Sequence, residues 1–272
     1  MAIGVLCEKR YLAQSQPSGL IRGLKDLGQE VTVIDPEGIP FTLGDDRWLD
    51  GLDLIVARGR SWGLLCLIEW AESRGVPTIN KRDAISAVHN KADMAVSLAR
   101  AKLPTPLTFF GSTALLKESV APADYPLILK PIFGDNCRGL QVIASPDEMQ
   151  LDWPEPIALA QRYHATDGYD LKLYGIGPDV FAVRKPSPFN KRREGQPDSS
   201  GQVELTPALQ TLGRQCGELF GLDLFGVDCI ETSDGPLVIE INDFPNYTSV
   251  ADADMLLARY IQSRLVEVAA KK

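Results

Sequence analysis

The first eighty residues alternate between short apolar runs and amphipathic segments. The apolar runs predict strands at Ile3–Cys7, Glu30–Ile34, Leu52–Ala57 and Val76–Ile79, and the segments between them predict helices at Gly19–Leu27 and Trp62–Arg74. This β-α-β rhythm is typical of a small parallel sheet that is covered on both faces. The chain is therefore predicted to be an α/β protein whose N-terminal parallel domain occupies residues 1–82.

The pattern changes after a long amphipathic helix that is predicted from Asp83 to Lys102. Short strands separated by turns follow, at Leu107–Phe110, Leu127–Lys130, Leu140–Ala144, Ile157–Tyr163, Leu171–Ile176 and Val180–Arg184. This succession predicts an antiparallel meander, divided between α+β subdomains at residues 83–156 and 157–272. The polar segment at residues 186–202 is long enough to predict a lid or a disordered loop.

Acidic side chains come together where two late strands, Phe225–Glu231 and Pro236–Asn242, pair as a hairpin. If the loop is Ser233-Asp234-Gly235, with its glycine in the left-handed conformation, Asp228 lies directly opposite Glu240. Opposed residues have Cβ atoms about 5 Å apart, so two carboxylates there repel each other unless a cation lies between them. Removing one carboxylate is then expected to raise the stability of the metal-free protein.

Asn242 adds a third oxygen ligand to this pair. Alternation with period two places Val238, Glu240 and Asn242 on one face of the strand and Leu237, Ile239 and Ile241 on the other. Asp228, Glu240 and Asn242 suit Mg²⁺ that is shared with nucleotide phosphates, and Mn²⁺ is the alternative ion. The competing interpretation is an acidic, solvated strand face, which the apolar character of both strands disfavours.

Lys130 ends an apolar strand, where a lysine is not expected to be buried without an anionic partner. The glycine-bounded loop that follows, from Gly134 to Gly139, can turn backbone N–H groups toward phosphate. It is not a Walker loop, because Leu140 follows where that motif has Lys-Ser or Lys-Thr. Taken alone, the loop is better interpreted as an ordinary hairpin loop, and Lys130 beside it favours phosphate binding.

Arginines follow two of the predicted strands. Arg58 and Arg60 come after Leu52–Ala57, and ligands bind at the carboxyl ends of strands in open parallel sheets. Their bidentate contacts would suit an anionic substrate, and the alternative is that they are surface arginines. Arg184 ends a later strand, and the Val180–Val183 run is expected to aim it inward. It would act in catalysis by stabilising charge on a transferring phosphoryl group or on an acyl phosphate, and the alternative is a surface role.

Composition narrows the class of partner. The net charge of −8 argues against nucleic-acid binding, and no apolar stretch approaches membrane-spanning length. The five cysteines are scattered and form no C-x-x-C pair, which favours a reducing cytoplasm over a disulfide or zinc framework. We expect a small, anionic acceptor substrate, and the oligomeric state is left open. His89 and His164 lie in no triad-like pattern and are assigned to structure.

In chain order, these residues resemble the ATP-grasp superfamily over essentially the whole chain. Val76–Asn80, Lys91 and Leu103–Pro106 are similar to the RimK-type carboxylate–amine ligases. The resemblance implies two α+β subdomains that grip ATP, after a small parallel domain. It also implies a set of ligands: Lys91 and Lys130 for the ATP phosphates with the Gly134 and Gly139 loop, Gln161 and the backbone at Arg162 and Tyr163 for adenine, Asp170 for ribose, and Asp228, Glu240 and Asn242 for two Mg²⁺.

A second resemblance lies within the same superfamily. Leu224–Asp228, Val238–Tyr247 and Arg184–Ser187 are similar to the inositol trisphosphate 5/6-kinases, and Lys172 fits the kinase pattern where a ligase usually has arginine. Lys172 and Asn246 join Arg58 and Arg60 as the expected substrate contacts.

These resemblances leave three functions open. The leading hypothesis is an ATP- and Mg-dependent carboxylate–amine ligase that forms an acyl phosphate, which an amine then converts to an amide. The second is a kinase that phosphorylates a hydroxyl of an inositol-phosphate-like substrate. The third is a nucleotide-binding regulator without catalysis, which the intact lysines and carboxylates disfavour.

Overall fold

A computed structural model describes residues 1–134, 138–188 and 198–270, and within these ranges the strands form three sheets. The first sheet is parallel and has the order β2-β1-β3-β4. Its strands are β1 (Ala2–Cys7), β2 (Glu30–Ile34), β3 (Leu52–Arg58) and β4 (Thr78–Ile79), and its helices are α1 (Lys9–Leu12), α2 (Ser15–Asp26) and α3 (Trp62–Ser73). The predicted parallel α/β layer is confirmed.

The later strands form separate antiparallel sheets rather than one meander. The second sheet has the order β5-β8-β6-β7, with β5 (Thr108–Gly111), β6 (Leu127–Lys130), β7 (Gln141–Ile143) and β8 (Ala158–Arg162). The third has the order β11-β10-β9-β12-β13, with β9 (Tyr169–Ile176), β10 (Asp179–Pro186), β11 (Gly201–Gln202), β12 (Leu224–Thr232) and β13 (Gly235–Asp243). The helices of this half are α4 (Arg82–His89), α5 (Lys91–Arg100), α6 (Thr113–Ser119), α7 (Pro207–Phe220) and α8 (Ala253–Ala269).

The long helix predicted over residues 83–102 is interrupted at Asn90. The Asn90 backbone is extended (φ −93°, ψ 103°), and its side chain accepts hydrogen bonds from the amides of Ala92 and Asp93. An asparagine N-cap satisfies backbone donors that a new helix leaves unpaired, so α4 ends and α5 begins at this point. The break makes Lys91 the first residue of α5.

The first and third sheets are joined through a shared core, and the second sheet has a core of its own. Ile3 and Leu54 of the first sheet pack in one cluster with Tyr174 and Leu224 of the third. Asn80 reinforces this junction, because its side chain accepts from the Leu224 amide at 2.9 Å and donates to the Leu224 carbonyl at 2.7 Å. The second sheet packs instead on α6 and Trp153. A cleft therefore lies between the second sheet and the joined pair.

Asp228 pairs with Glu240 as the sequence predicts, but the hairpin reaches this register by a different route. Thr232 pairs with Gly235, so the loop is one residue shorter than expected. A β-bulge between Asp228 and Cys229 then adds one residue, Ile239, to β13 and restores the predicted alignment.

The bulge changes which side chains share a face of β13. Val238 is fully buried in the core with Ile241, whereas Ile239 lines the cleft with Glu240 and Asn242. The strict alternation predicted for Val238 and Ile239 was therefore wrong, because a bulge turns one residue to the opposite side. The carboxylate and the amide that matter for the site keep their predicted face.

The predicted lid falls largely on residues 189–197, which lie outside the described residues. None of the helices in the described ranges combines the length and the apolar character that crossing a membrane requires.

Candidate active site

A cleft of about 460 Å³ opens between the second and third sheets and reaches the carboxyl end of β3. The sequence-predicted residues that line it are Arg58, Arg60, Lys130, Gln161, Arg162, Tyr163, Asp170, Lys172, Asp228, Glu240, Asn242 and Asn246. Residues that are far apart in the chain meet here within hydrogen-bonding distance, such as Arg58 and Asn246, which are 188 positions apart. The fold thus gathers most of the candidate side chains into one site.

Each of the opposed carboxylates is held by a lysine. Lys91 Nζ lies 2.6 Å from Glu240 Oε1, and Lys172 Nζ lies 2.8 Å from Asp228 Oδ1. The second Asp228 oxygen accepts a hydrogen bond of 2.8 Å from Asn242 Nδ2. The predicted repulsion between the carboxylates is therefore met by two ammonium groups, so removing one acid leaves a buried cation instead of relieving strain.

The pKa of Glu240 reflects this balance of charges. Burial raises it, but the Lys91 ammonium, assisted by Lys130 and Arg60, outweighs burial and leaves the pKa below its ordinary value. For Lys172, burial lowers the pKa, and the charge of Asp228 together with Tyr174 raises it above its ordinary value. Both groups are consequently charged at neutral pH.

Lys91, at the start of α5, and Lys130, at the end of β6, are both buried. Lys91 Nζ also donates to the Gly134 carbonyl at 3.1 Å, and its amide donates to the Ile132 carbonyl, so α5 is tied to the start of the glycine loop. Lys130 Nζ donates to the carbonyl of the bulged residue Ile239 at 3.5 Å.

Glu155 is a positioning residue that the sequence reasoning missed. Its carboxylate accepts from the Ile132 amide at 2.6 Å and from the Phe133 amide at 3.5 Å, which fixes the entry to the glycine loop. Gly139 at the far end has φ +75°, a conformation that favours glycine. Residues 135–137 between them lie outside the described residues, and phosphate binding by this loop stays a prediction.

One end of the cleft combines apolar walls with a buried amide. Ile128 and Ile230 line this end, and Gln161 Nε2 donates to Thr108 Oγ1 at 3.1 Å. Gln161 Oε1 is buried and has no hydrogen-bond partner among the described residues. A buried acceptor without a partner is costly, and the amino group of a bound purine would satisfy it.

The backbone on either side of Gln161 is more engaged than expected. The Arg162 amide donates to the Leu107 carbonyl and the Tyr163 amide donates to the Pro126 carbonyl, both at 2.8 Å. Both N–H groups already donate to neighbouring backbone carbonyls. The predicted adenine contacts at Arg162 and Tyr163 would therefore have to use the carbonyl oxygens of these residues. The sequence could not reveal this, because it depends on the neighbouring strands.

Asp170 also lines the cleft. Burial raises its pKa, the hydroxyl of Ser187 lowers it, and the charge of Asp228 raises it again, for a net upward shift. Burial and a neighbouring negative charge make the ionised carboxylate less stable, and hydrogen bonds donated by hydroxyl groups would stabilise it. Its predicted role with a ribose stays a prediction.

The side chain of Arg58 is held by contacts within the protein and is not free to bind a substrate with both of its terminal nitrogens. Its side chain is buried between the rings of Tyr11 and Phe244, with ring-centre distances of 5.0 and 5.3 Å. One terminal nitrogen donates to the Phe244 carbonyl, and the other donates to Gln14 Oε1 and Asn246 Oδ1, both at 3.0 Å. The expected bidentate contact with substrate therefore does not fit, because Arg58 already joins the N-terminal layer to the loop after β13.

Arg60 stands two residues further along and is more accessible than Arg58. Its amide and that of Ser61 donate to Glu8 Oε1 at 2.5 and 2.6 Å, which fixes the turn after β3. Its charge lowers the pKa values of Glu240 and Asp243, which places it near the acidic residues of β13. Of the two arginines, Arg60 has the more accessible side chain, and its contact with a substrate stays a prediction.

Arg184 lies on the wrong face of the third sheet for the predicted catalytic role. It pairs with Asp167 at 2.8 Å and Glu231 at 3.2 Å, stacks on Tyr169, and is absent from the cleft lining of the described residues. The Val180–Val183 run was expected to aim Arg184 inward. Side chains alternate along β10, however, so Val183 and Lys185 face the cleft side and Arg184 faces away from it. Arg184 therefore does not enter the cleft, and the next residue, Lys185, does.

Lys185 lines the cleft and was not singled out from the sequence as a site residue. Its ammonium donates to the Tyr174 hydroxyl and lies 5.0 Å from the centre of that ring. Burial, and then the charge of Lys172, lower its pKa to about 8, and Asp228 offsets part of this shift. The adjacent pair Arg184-Lys185 was a usable signal, because one of two consecutive residues must face the cleft.

His89 is structural, but it supports the site. Its Nε2 lies 2.7 Å from Asp243 Oδ1, which ties the end of α4 to the end of β13. Burial raises the pKa of Asp243, and His89, Arg60 and Arg58 outweigh burial and lower it.

The cleft is positively charged although the chain is acidic. Its described lining has six cationic side chains, Arg58, Arg60, Lys130, Arg162, Lys172 and Lys185, and four carboxylates, Asp170, Asp228, Glu240 and Asp243. The whole chain has a net charge of −8. An excess of cations in this cleft of an acidic protein favours anionic ligands.

Oxygen ligands for a divalent metal are present in the cleft. Asp228, Glu240 and Asn242 supply carboxylate and amide oxygens, the donor set that Mg²⁺ prefers. Within the described residues, no cluster of three or more His, Cys, Asp or Glu side chains forms a metal site on its own. A set with two carboxylates and an amide fits an ion that takes its remaining ligands from nucleotide phosphates.

Residues 88–246 match the family described as the ATP-grasp domain. A protein of Hahella chejuensis named "Probable alpha-L-glutamate ligase 2" is 32% identical over 289 residues, which cover 93% of this chain and 91% of the relative. A protein of Maridesulfovibrio salexigens named "Probable alpha-L-glutamate ligase" is 26% identical over 277 residues, which cover 92% of this chain and 90% of the relative.

The fold is also similar to solved structures. The structure of the ATP-grasp ligase PsnB, complexed with minimal precursor, Mg and ADP, aligns with a TM-score of 0.74 over 97% of each chain, at 18% identity. This likeness shows that the two chains share a fold over nearly their whole length.

Proposed function

This chain belongs to the ATP-grasp family and is an ATP-dependent carboxylate–amine ligase; we propose that its amine substrate is an acidic L-amino acid, of which glutamate is the first candidate. The names of the relatives supply the candidate, and the positive cleft supports it. The observation that carries the choice of an acidic substrate is the excess of cationic over acidic side chains in the cleft lining. The opposed pair Asp228 and Glu240, each held by a lysine, supports the ATP-dependent chemistry.

The first step would transfer the terminal phosphoryl group of ATP to a substrate carboxylate. A carboxylate oxygen forms a bond to phosphorus, the bond to the bridging oxygen breaks, and ADP leaves. Gln161 and the apolar wall would hold the base, Asp170 the ribose, and Lys91 and Lys130 the phosphates. Such transfers depend on positioning and on neutralising charge, and buried lysines provide both.

The second step would join the amine to the activated carboxyl group. The amine nitrogen, after losing a proton, attacks the carbonyl carbon of the acyl phosphate, and inorganic phosphate leaves as the amide forms. Arg60 lies near the acidic residues of β13, where its positive charge would stabilise the oxygens that become negative.

Asp228, Glu240 and Asn242 would hold Mg²⁺, which when bound neutralises phosphate charge; Mn²⁺ accepts the same ligands and is the alternative. To reach a metal, Asp228 and Glu240 would exchange their contacts with Lys172 and Lys91 for contacts with the ion. The two lysines would then be released toward the phosphates and the substrate.

The test is product analysis after incubation with Mg·ATP, a panel of carboxylates and single L-amino acids. We expect ADP, free phosphate and an amide in equal amounts, with release of phosphate dependent on both substrates. Stable phosphorylation of a hydroxyl without phosphate release would contradict the ligase and favour the kinase. The metal-site variant Glu240→Gln serves as the inactive control.

A further inference from the structure

Two lysines share one aromatic ring in the cleft. The ammonium groups of Lys172 and Lys185 lie 5.7 and 5.0 Å from the centre of the Tyr174 ring. Tyr174 itself is buried, and its hydroxyl accepts a hydrogen bond from Lys185. Cations over an aromatic face are stabilised by the ring, but the ring supplies no neutralising charge.

The two lysines differ in their partners. Lys172 forms an ion pair of 2.8 Å with Asp228. Lys185 has no carboxylate partner among the described residues, although Asp170 is its paired neighbour on β9. Its side chain reaches the Tyr174 hydroxyl instead. A partly buried cation that lies beside a second cation, and that has no carboxylate partner among the described residues, is a site that an anion would complete.

We propose that Lys185, held against Tyr174, binds the side-chain carboxylate of the acidic amino acid and thereby selects it over neutral amino acids. The inference rests on the proposed function and adds to it the residue that reads the acidic group. Burial and the neighbouring Lys172 lower the pKa of Lys185 to about 8, and the negative charge of a bound carboxylate would oppose both effects and raise the pKa.

A competing role is that Lys185 removes the proton from the attacking amine. The structure favours anion binding, because the Lys185 ammonium is already engaged as a donor to Tyr174 in the absence of substrate. The two roles make opposite demands on charge. An anion site needs a cation at position 185, whereas a proton acceptor needs an amine that can become neutral.

The test compares the binding of L-glutamate and L-glutamine, which have nearly the same shape and differ in charge. Calorimetry is done in the presence of Mg²⁺ and a non-hydrolysable ATP analogue, with wild type, Lys185→Met, Lys185→Gln and Lys185→Arg. Lys25→Met, at an exposed position on α2, is the matched control. Binding of the nucleotide analogue and thermal melting establish that each variant is folded.

We expect wild type to bind glutamate about tenfold to hundredfold more tightly than glutamine. Lys185→Met and Lys185→Gln should lose this preference by weakening glutamate binding alone, and Lys185→Arg and Lys25→Met should keep it. An unchanged preference in Lys185→Met, an equal loss for both amino acids, or no preference in wild type would each overturn the proposal.

Turnover separates this proposal from the function on which it rests. If wild type forms an amide with glutamate but Lys185→Met discriminates against glutamine as before, the assignment of Lys185 fails and the ligase proposal stands. If no L-amino acid yields an amide, the proposed function fails. Glutamate binding that survives in Lys185→Met and Lys185→Arg, with turnover lost in both, would identify Lys185 as the proton acceptor instead.

Discussion

Lys91 Nζ lies 2.6 Å from Oε1 of Glu240, so the first residue of α5 neutralises a carboxylate of the candidate metal site. The side chain of Lys91 is 5% exposed and that of Glu240 is 26% exposed, which makes this a largely buried ion pair. Breaking a buried pair by removing one partner leaves the other charge without compensation. The pair therefore links the stability of the protein to the residues of its active site.

Replacing Glu240 by glutamine should lower the free energy of unfolding by about 1–3 kcal/mol, because the buried ammonium of Lys91 loses its charged partner. This reverses the sequence-based expectation that removing one carboxylate stabilises the metal-free protein. Chemical denaturation without metal measures the change, and ADP release with Mg·ATP should fall to background. A variant that is more stable than wild type would show that repulsion between Asp228 and Glu240 dominates.

Lys130→Ala should weaken ATP binding by about 1.5–3 kcal/mol and adenosine binding much less. Lys130 is 6% exposed and faces the cleft at the end of β6, where its proposed partners are phosphates rather than the base. Calorimetric titration with ATP, AMP and adenosine gives the comparison. Equal losses for ATP and adenosine would show that Lys130 supports the fold of the cleft and not the phosphates.

Arg184→Ala should leave kcat and the KM for ATP within about threefold of wild type, since its side chain lies on the far face of the sheet. Its ion pairs with Asp167 and Glu231 involve partners that are 55% and 53% exposed, so the loss of stability should be at most about 1 kcal/mol. Steady-state kinetics and thermal melting measure both effects. A large fall in kcat with unchanged melting would restore the catalytic role predicted from sequence.

The sequence predicts the pairing of Asp228 with Glu240, because alternating apolar strands and turn residues determine a hairpin register. It does not predict which face Ile239 adopts, since a bulge depends on how β12 packs against β9 as well as on β13 itself. The same pattern could not choose between Arg184 and Lys185. Both are cations at the end of one strand, and only the parity of that strand within the sheet decides which one enters the cleft.

The break at Asn90 was within reach of sequence reasoning. Asparagine is a preferred N-cap, and Asp93 follows three residues later, near the start of a helix where acidic side chains are stabilising. The contacts of Arg58 could not be predicted from the sequence. Its partners Gln14 and Asn246 are 232 residues apart in the chain and meet through the packing of α2 on α8. Long-range polar contacts of this kind depend on tertiary structure and leave no local pattern.

The affinity for glutamate, relative to glutamine, should fall as the pH rises above about 8. Burial and Lys172 lower the pKa of Lys185 to about 8, Asp228 opposes them, and Tyr174 and Asp170 are the other titratable groups that face it from β9. Below that pH, Lys185 is charged and ready to bind a carboxylate. Above it, each binding event must first protonate Lys185, so the dissociation constant should rise by up to about tenfold per pH unit.

Calorimetry between pH 6.5 and 9, in buffers of different ionisation enthalpy, measures this effect directly. Proton uptake on glutamate binding should increase from near zero toward one across this range, and glutamine serves as the reference for titration of the α-amino group that both ligands share. Lys185→Arg should abolish the additional uptake, because a guanidinium stays protonated throughout the range. If wild type and Lys185→Arg take up the same number of protons at every pH, the titrating group is not Lys185, and the carboxylate of the ligand is bound elsewhere in the cleft.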